Sequence, residues 1–367
     1  MSDSCAAHKL LSVGAHIPIN PEQGVLQVEY IKYGNAGILV SRLCWGAMTF
    51  LQREGEEGGI RMVNEALDAG INFFDTADQY SNGRSEEVLG KALRARRDHV
   101  VIASKLWVPM YPDDPNGRGC GRYHMMRAVE ASLRRLGTDR IDLYQLHHPD
   151  ENAPVEETLA TLDTLVKQGK VRYVGVCNHY AWQMAHMLGV AALHNWEPIV
   201  SFQGHYSIFD RSPENETAHF CKRFNIAAIT YGGLSGGVLS GKVRRGQAAP
   251  EGSRVANAGI ENLIQFAPGQ TEEMVYTVLD EMEKITSKYN IGVNQLTMKW
   301  MLAKDWVTCP ILGGTRSEHF SDMYNLFDIT IDPEDIQRID DVSEAFKYVP
   351  TTNRAIVGGA AAQQNWW

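Results

Sequence analysis

The sequence lacks the features that mark several large classes of protein. Its 367 residues carry 35 Lys and Arg against 44 Asp and Glu, a formal net charge of -9. Because nucleic-acid binders usually present a basic face, this balance argues against nucleic acid as a partner. No apolar run is long enough to cross a bilayer, and the N-terminus through Pro21 lacks the basic and apolar regions of a signal peptide. We therefore expect no membrane partner and a cytoplasmic location.

Cysteine is scarce, and its spacing follows no pattern. The six cysteines include no CxxC pair, which argues against a disulfide framework and indicates reduced thiols in a cytosolic protein. They are Cys5, Cys44, Cys120, Cys177, Cys221 and Cys309. The run from His147 to Asp150 contains metal-ligand residue types, but no third His or carboxylate stands in register with it. We therefore predict no metal.

What the sequence does contain is a regular alternation of short β-rich runs and longer segments of helical period. Such alternation indicates βαβ units and a parallel sheet. The candidate strands are Leu43–Ala47, Ile71–Asp75, Val100–Ser104, Ile141–Leu146, Val171–Val176, Ile199–Gln203, Ala227–Tyr231 and Val307–Leu312. Eight repeats over roughly 300 residues fit an α/β fold with a single (β/α)8 TIM barrel better than two Rossmann halves.

Three segments fall outside this repeat. Residues 1–27 show no periodicity and are predicted to be a flexible N-terminal extension, followed by the barrel at 28–346 and a C-terminal tail at 347–367. We expect the Trp366-Trp367 pair in that tail to pack over the active-site mouth or a partner subunit. Within the barrel, Gly232–Gln270 is a long segment of the kind that is usually functional or disordered. At the start of the barrel domain, the sequence predicts a β-hairpin that could plug the bottom of the barrel. Its two strands, Val28–Tyr33 and Ile38–Ser41, flank a Gly-rich turn.

Four polar residues stand where predicted strands end. Asp75 closes one strand and Tyr80 follows it, while Lys105 and His147 close two others. In a parallel barrel, catalytic groups converge at the strand C-termini, where the loops share one pocket. An Asp at a strand end is more often a cap or turn residue, so each residue alone carries little weight. The set of four argues for a shared site.

This set predicts carbonyl–alcohol redox chemistry. A free tyrosine is a poor acid at neutral pH, but an adjacent ammonium stabilises the phenolate and lowers the tyrosine pKa. Lys105 would do this for Tyr80, and Asp75 would hold Lys105 charged and in position. His147 would hydrogen-bond the substrate oxygen.

The motifs around these residues are similar to those of a known family. Their order along the chain is Phe74-Asp75-Thr76-Ala77-Asp78-Gln79-Tyr80, Gly83-Arg84-Ser85-Glu86, Ser104-Lys105, Asp142-Leu143-Tyr144-Gln145-Leu146-His147, Gly175-Val176-Cys177-Asn178, Gln203 with Tyr206-Ser207, and Tyr231-Gly232-Gly233-Leu234 running into Gly237–Lys242. In order and spacing they resemble the aldo-keto reductases over about Val28 to Ala345. The nearest branch holds aryl-alcohol-dehydrogenase-like enzymes and potassium-channel β subunits.

The resemblance implies a catalytic tetrad and a cofactor site. The tetrad is Asp75, Tyr80, Lys105 and His147. NADPH or NADP is implied as the cofactor, with NADH less favoured because Arg316 could bind a 2′-phosphate. Asn178 and Gln203 would hold the nicotinamide carboxamide, and Tyr231 would stack on its ring. The implied cofactor residues are Gly46, Ala47, Met48, Asp75, Cys177, Asn178, Gln203, Tyr231, Gly232, Gly233, Leu234, Gly237, Lys242, Gly313, Gly314, Thr315, Arg316 and His319.

The sequence also departs from the family pattern around the cofactor. Cys177 stands where a Ser is usual, Gly232-Gly233 replaces Ser-Pro, His319 replaces Arg or Gln, and Met323 replaces Asn. These changes concern cofactor affinity and leave the tetrad intact.

Three functions are compatible with these residues. The first is NADPH-dependent reduction of a small-molecule aldehyde or ketone, or oxidation of the alcohol, with Trp107 and His148 lining the substrate pocket. The second is an NADP(H)-binding sensor or regulatory subunit with little turnover, and the third is a metal-dependent barrel hydrolase. The intact tetrad favours the enzyme. A homo-oligomer is possible in each case.

Overall fold

The chain folds around one closed barrel of parallel strands. A computed structural model describes residues 28–111 and 113–347. The eight barrel strands are β3 (Cys44–Gly46), β4 (Phe73–Asp75), β5 (Val101–Leu106), β6 (Ile141–Leu146), β7 (Val171–Cys177), β8 (Ile199–His205), β9 (Ala227–Tyr231) and β10 (Cys309–Gly313), preceded by the hairpin strands β1 (Tyr30–Lys32) and β2 (Leu39–Ser41). Each strand pairs in parallel with the next, and β10 pairs with β3 to close the ring. The predicted (β/α)8 barrel and N-terminal hairpin are confirmed.

Helices connect the strands on the outside. They are α1 (Leu51–Asp68, interrupted at Gly55), α2 (Arg84–Leu93), α3 (Arg122–Leu136), α4 (Val155–Lys167), α5 (Ala181–His194), α6 (Thr217–Phe224), α7 (Arg254–Ala258), α8 (Ile260–Ile264), α9 (Glu272–Tyr289), α10 (Val293–Leu302), α11 (Glu318–Tyr324) and α12 (Pro333–Val342). Glycines end several of these helices. Gly137, for example, adopts a φ of 62° directly after α3, a conformation that costs a glycine little. No helix among the described residues is long and apolar enough to span a membrane.

The hairpin closes the end of the barrel opposite to the catalytic loops. Tyr33 and Val40 are buried in one cluster with barrel-interior residues such as Phe73. Gly34 adopts a φ of +52°, and an added Cβ would lie 2.6 Å from the backbone nitrogen of Ala227 at the start of β9. The chain therefore approaches the strand N-termini backbone to backbone, which leaves the strand C-termini as the open face.

The long segment after β9 is more ordered than the sequence indicates. It contains a 3-10 turn at Ser235–Ser240 and the helices α7 and α8, each of 5 residues. Helices this short do not complete two turns, so they leave no hydrophobic period in the sequence. The predicted extension at 1–27 and the Trp366-Trp367 pair lie outside the described residues.

Candidate active site

The four residues singled out in the sequence meet at the open end of the barrel. Asp75 is the last residue of β4, and Tyr80 begins a 3-10 turn five positions later. Lys105 lies near the end of β5, and His147 follows β6 directly. All four side chains are buried, and Lys105 is 0% exposed. A buried ammonium requires partners, because removing a charge from water is costly.

Lys105 finds those partners inside the site. Its Nζ donates to Asp75 Oδ2 at 2.6 Å, to the carbonyl of Thr76 at 2.8 Å and to the hydroxyl of Tyr80 at 3.2 Å. Burial alone would lower the pKa of Lys105. The charge of Asp75 and the nearby Tyr80 have the larger, opposite effect, so the net shift of the Lys105 pKa is upward. Lys105 is therefore a permanent cation that touches both the carboxylate and the tyrosine.

Two amides fix the other oxygen of Asp75. Oδ1 accepts from Gln203 Nε2 at 2.8 Å and from Gln145 Nε2 at 3.3 Å. The carboxylate thus has a partner on each oxygen and cannot rotate away from Lys105. No role was predicted for Gln145, although it lies two residues before His147. Side chains two positions apart on a strand point to the same face, so the spacing of Gln145 and His147 indicates that Gln145 also faces the site.

Tyr80 differs from the expectation in its acidity. Burial raises the pKa of Tyr80 to about 12, and the Lys105 ammonium opposes this rise without reversing it. Lys105 Nζ also lies 4.8 Å from the centre of the tyrosine ring. Without a substrate, Tyr80 therefore holds its proton at neutral pH, which is the state that a proton donor requires.

His147 is held neutral beside Tyr80. Burial, the charge of Lys105 and the nearby His148 hold the pKa of His147 well below its usual range. Its Nδ1 lies 3.4 Å from Gln79 Nε2, and the amide can only donate there. The proton of the neutral ring then resides on Nε2, where it can be donated to a substrate oxygen. Gln79 was missed because a polar residue between Asp78 and Tyr80 gives no signal of its own.

The residues implied for the nicotinamide lie around this centre. Tyr231 donates its hydroxyl to Asn178 Oδ1 at 2.8 Å, and Asn178 Nδ2 donates to the carbonyl of His147 at 3.0 Å. Gln203 uses its Nε2 on Asp75 and makes no hydrogen bond through Oε1 in the described part of the chain. Cys177 is buried and contacts Gln145 Oε1 through its sulfur at 3.6 Å. An amide acceptor and an aromatic ring therefore lie together, as a carboxamide-bearing ring requires.

Glycines lie at the ends of β3 and β10 and in the segment after β9, and we call the space beside them the cleft. An added Cβ at Gly237 or Gly313 would meet nothing within 4 Å, so the cleft is open at both positions. Gly237 also adopts a φ of 104°, which disfavours any side chain there. At the start of the cleft, Gly46 ends β3 and Met48 is 50% exposed. The remaining residues named for this region are Ala47 after β3, Gly232, Gly233 and Leu234 after β9, and Gly314 and Thr315 after β10.

The far end of the cleft is cationic. Burial and the charge of Lys242 lower the pKa of His319, and Arg316 and Arg53 lower it too, while the carboxylate of Glu318 opposes them without reversing the shift. The charges of these three cations therefore converge on one imidazole. None of them forms an ion pair with a carboxylate in the described part of the chain, although Arg53 donates to the carbonyl of Gly252 at 3.4 Å. This is the charge arrangement that a phosphate group requires. Arg53 was missed because it lies past the first-strand turn with no motif around it.

The two predicted pocket residues contact each other at the rim. The ring centres of Trp107 and His148 are 4.9 Å apart, and the rings of His148 and His147 stack at 5.1 Å. No group of three or more His, Cys, Asp or Glu among the described residues could hold a metal ion.

These features define a class of protein. A buried Asp–Lys–Tyr–His centre lies at the C-terminal mouth of a (β/α)8 barrel, beside a glycine-lined cleft with a cationic end. The glycine-lined cleft, the free Oε1 of Gln203 and the cations at the end of the cleft fit a nicotinamide dinucleotide.

Comparison with known proteins gives the same class. The model of the aldo/keto reductase family matches residues 42–344. The uncharacterised oxidoreductase YrpG of Bacillus subtilis (strain 168) is 31% identical, over 86% of this chain and 96% of its own. The Schizosaccharomyces pombe protein named "Putative aryl-alcohol dehydrogenase C977.14c" is 30% identical, over 84% of this chain and 93% of its own. The rice (Oryza sativa subsp. japonica) protein named "Probable voltage-gated potassium channel subunit beta" is 30% identical over 87% and 97%.

The chain belongs to the aldo/keto reductase family. It is an NAD(P)H-dependent oxidoreductase of carbonyl compounds.

Proposed function

We propose that this protein reduces an aldehyde or ketone with NADPH, or oxidises the corresponding alcohol, with Tyr80 as the general acid or base. One observation carries the proposal: Lys105 Nζ touches Asp75 Oδ2 at 2.6 Å and the Tyr80 hydroxyl at 3.2 Å, inside a buried site. A tyrosine beside a fixed ammonium is suited to give up a proton when negative charge develops on a nearby oxygen.

Each residue of the centre then has a distinct task. NADPH, when bound, supplies the hydride for the carbonyl carbon. Tyr80 gives its proton to the carbonyl oxygen, and Lys105 stabilises the phenolate that this leaves. His147 donates from Nε2 to the same oxygen and orients the carbonyl. Asp75 keeps Lys105 charged and in place.

We propose NADPH as the preferred cofactor because cations gather at the end of the cleft. Lys242, Arg316 and Arg53 all act on His319 and lack carboxylate partners in the described part of the chain. A 2′-phosphate would supply the missing negative charge, whereas the 2′-hydroxyl of NADH would not. Comparing kcat/KM for NADPH and NADH on one aldehyde tests this preference. Equal values would contradict it.

Tyr80→Phe tests the chemistry directly. It removes the proton donor and keeps the ring, so we expect kcat to fall by about two to four orders of magnitude. NADPH oxidation with a panel of aldehydes and ketones measures this loss, and circular dichroism verifies the fold. Tyr123→Phe is the matched control, because Tyr123 is 69% exposed on α3. Turnover close to wild type in a folded Tyr80→Phe variant would exclude the mechanism.

A regulatory role is the second candidate, and the rice relative favours it by its name. A sensor would hold its cofactor tightly and turn it over negligibly. Fluorescence titration with NADPH, followed by single-turnover oxidation with an aldehyde, distinguishes the two functions. Rapid oxidation of the bound cofactor supports the enzyme, and retained fluorescence supports the sensor.

A further inference from the structure

A stack of rings leads from the catalytic centre to the rim of the pocket. The His147 ring contacts Tyr80 edge-on at 5.9 Å and stacks on His148 at 5.1 Å. His148 contacts Trp107 at 4.9 Å, and the Arg118 guanidinium lies over Trp107, 5.1 Å from its ring centre. Tyr80 and the exposed Arg118 are thus joined by successive ring contacts. We call these residues, from His147 to Arg118, the rim stack.

The backbone fixes the position of Arg118. The amide of Gly119 donates to the carbonyl of Trp107 at 2.8 Å, which pins the chain beside the indole. Gly119 has a φ of +88°, and an added Cβ would lie 2.4 Å from Asp150 Oδ2. Only glycine fits this approach, so the residue before it cannot drift far from the ring.

Arg118 is charged and has no carboxylate partner in the described part of the chain. Two acids of the neighbouring backbone, Asp150 and Asp114, already have other partners. Asp150 accepts from the backbone amides of Cys120 at 2.7 Å and Asn152 at 3.0 Å. Asp114 pairs with Arg127 at 2.6 Å. Arg118 is therefore a fixed cation that an incoming molecule can reach.

The rest of the rim stack brings no positive charge at neutral pH. Burial lowers the pKa of His148 to about 4, and the pKa of His147 is also depressed, chiefly by burial. Trp107 has no ionisable group, and its Nε1 makes no hydrogen bond in the described part of the chain. The rings of the stack are not coplanar, but edge-to-face packing on a flat substrate ring needs only an aromatic edge or face. Arg118 supplies one cation for an anionic substituent on that ring.

We propose that Arg118 selects aromatic carbonyl substrates that carry an anionic group, and that the rim stack aligns their ring with Tyr80. This inference rests on the carbonyl reduction proposed above. Arg118 is a specificity-determining residue: it binds the substituent and takes no part in hydride or proton transfer.

The experiment compares charged substrates with their uncharged esters. The pairs are 4-carboxybenzaldehyde with methyl 4-formylbenzoate, and 4′-formylbiphenyl-4-carboxylate with its methyl ester, so that two distances to the anion are sampled. In the NADPH-loaded wild type we expect a higher kcat/KM for the acid in at least one pair, and a preference that salt weakens. In Arg118→Met that acid-to-ester ratio should fall by about three- to tenfold, the range for a partly solvated charged contact. Arg118→Lys should retain part of the preference.

Arg122→Met is the matched control. Arg122 is an exposed arginine four positions on, and its backbone amide donates to Glu157 at 2.8 Å. Its guanidinium lies over no aromatic ring of the described residues. The ratio should be unchanged in this variant. No preference for either acid in the wild type, an unchanged ratio in Arg118→Met, or an equal loss in Arg122→Met would overturn the proposal.

A binding measurement separates this inference from the proposed function. Calorimetry with 4-carboxybenzyl alcohol and NADP-loaded protein reports on Arg118 without turnover. If no aldehyde is reduced, the proposed function fails, and loss of this binding in Arg118→Met still supports the anion contact. Absence of binding to the wild type in that case would overturn the contact as well. If aldehydes are reduced without charge preference, only the inference fails.

Discussion

Lys105 and Asp75 form an ion pair that is almost completely withdrawn from water, with side chains 0% and 4% exposed. A buried pair of this kind contributes little net stability, whereas removing one partner strands the other charge. Lys105→Met should therefore lower the free energy of unfolding by about 3–5 kcal/mol. The double variant Asp75→Asn/Lys105→Met removes both charges and should recover much of that loss.

The double variant should recover stability relative to Lys105→Met, but it should not recover turnover. Both lack the ammonium beside Tyr80, so both should lose about two orders of magnitude or more in kcat. Urea unfolding and NADPH oxidation measure the two effects separately. Equal stability of the single and double variants would contradict the stranded-charge argument.

Buried neutral histidines should make the protein sensitive to mild acid. Burial lowers the pKa of His179 to about 4, from an ordinary value of 6.5. The unfolded chain then binds more protons than the folded one between these values, so stability rises with pH there. The stabilising contribution is complete above about pH 6.5 and is lost as pH falls toward about 4. The same sign holds for His148, whose pKa is also lowered to about 4.

The urea midpoint as a function of pH tests this linkage. His179→Gln removes one titrating ring, so its midpoint should change less steeply with pH than that of the wild type. His186→Gln, on the exposed side of α5, is the control for the loss of a histidine ring outside the core, and His179→Gln should change the slope more than this control does. A wild-type midpoint that stays constant across this range would show that the histidines titrate alike in both states.

Residues that end a strand were predictable, and residues that support them were less so. Asp75, Lys105 and His147 each follow an apolar run whose length sets their place at the barrel mouth. The acidity of Tyr80 was not predictable, because burial outweighs the ammonium and burial depends on the whole pocket. Arg53 was not predictable either, because it lowers the pKa of His319, which is far from it in the sequence. No local sequence pattern indicates that these two residues lie close together.

At the scale of elements, the strands were predicted well because each is an apolar run bounded by polar or Gly-rich sequence. Ile141–Leu146 and Ala227–Tyr231 match the structure at both ends. The first two barrel strands are shorter than predicted. The residues beside them still bond to a neighbouring strand, because the Ala47 amide donates to the carbonyl of Asp75 at 2.8 Å and the Asn72 carbonyl accepts from Val101 at 2.7 Å. The helices α7 and α8 were not predicted, because tertiary packing stabilises them more than their own sequence does.

Packing of helix α2 on α3 depends on a single glycine. An added Cβ at Gly90 would lie 2.1 Å from the carbonyl oxygen of Leu136, which is backbone and cannot rotate away. Gly90→Ala should therefore force the helices apart and cost about 1–3 kcal/mol. Gly189→Ala is the matched control in α5, where an added Cβ meets nothing within 4 Å.

The control should change stability in the opposite direction. Alanine favours a helix over glycine by about 0.5–1 kcal/mol, so Gly189→Ala should raise the unfolding midpoint. Thermal and urea unfolding of both variants measures the difference. If Gly90→Ala were as stable as Gly189→Ala, the close approach of the two helices would be wrong.

At the scale of the whole molecule, the sign of the local charge at the cleft is opposite to the sign of the net charge. The chain carries a net charge of -9, yet Lys242, Arg316 and Arg53 gather at one end of the cleft. Such a local reversal concentrates an anionic ligand at its site while the remaining surface repels it. The cytoplasmic location, the homo-oligomer and the domain limits of 28–346 stay predictions, because each depends on surroundings or segments beyond the described barrel.

A buried arginine helps to attach the last helix to the barrel. Arg211, in the loop after β8, is 1% exposed. Its guanidinium donates to both oxygens of Glu214 at 2.9 and 3.0 Å, to the carbonyl of Asp340 at 2.7 Å and to Ser343 Oγ at 2.9 Å. Its backbone amide donates to the carbonyl of Phe346 at 2.9 Å. The loop after β8 thus holds the end of α12, at a separation of more than a hundred positions.

Arg211→Met should release this contact and destabilise the whole domain. The change removes the bidentate partner of Glu214 and the two hydrogen bonds from Arg211 to the end of α12, a loss of about 3–5 kcal/mol for a buried network. Arg338→Met is the matched control on α12, since its guanidinium is 48% exposed and should contribute no more than about 1 kcal/mol. Urea unfolding monitored by circular dichroism measures both. If the two variants unfold at the same urea concentration, the buried arginine contributes no more to the attachment of α12 than the exposed one. The donors Trp300 and Lys304 to Asp340 and the buried Ile339 would then hold the helix.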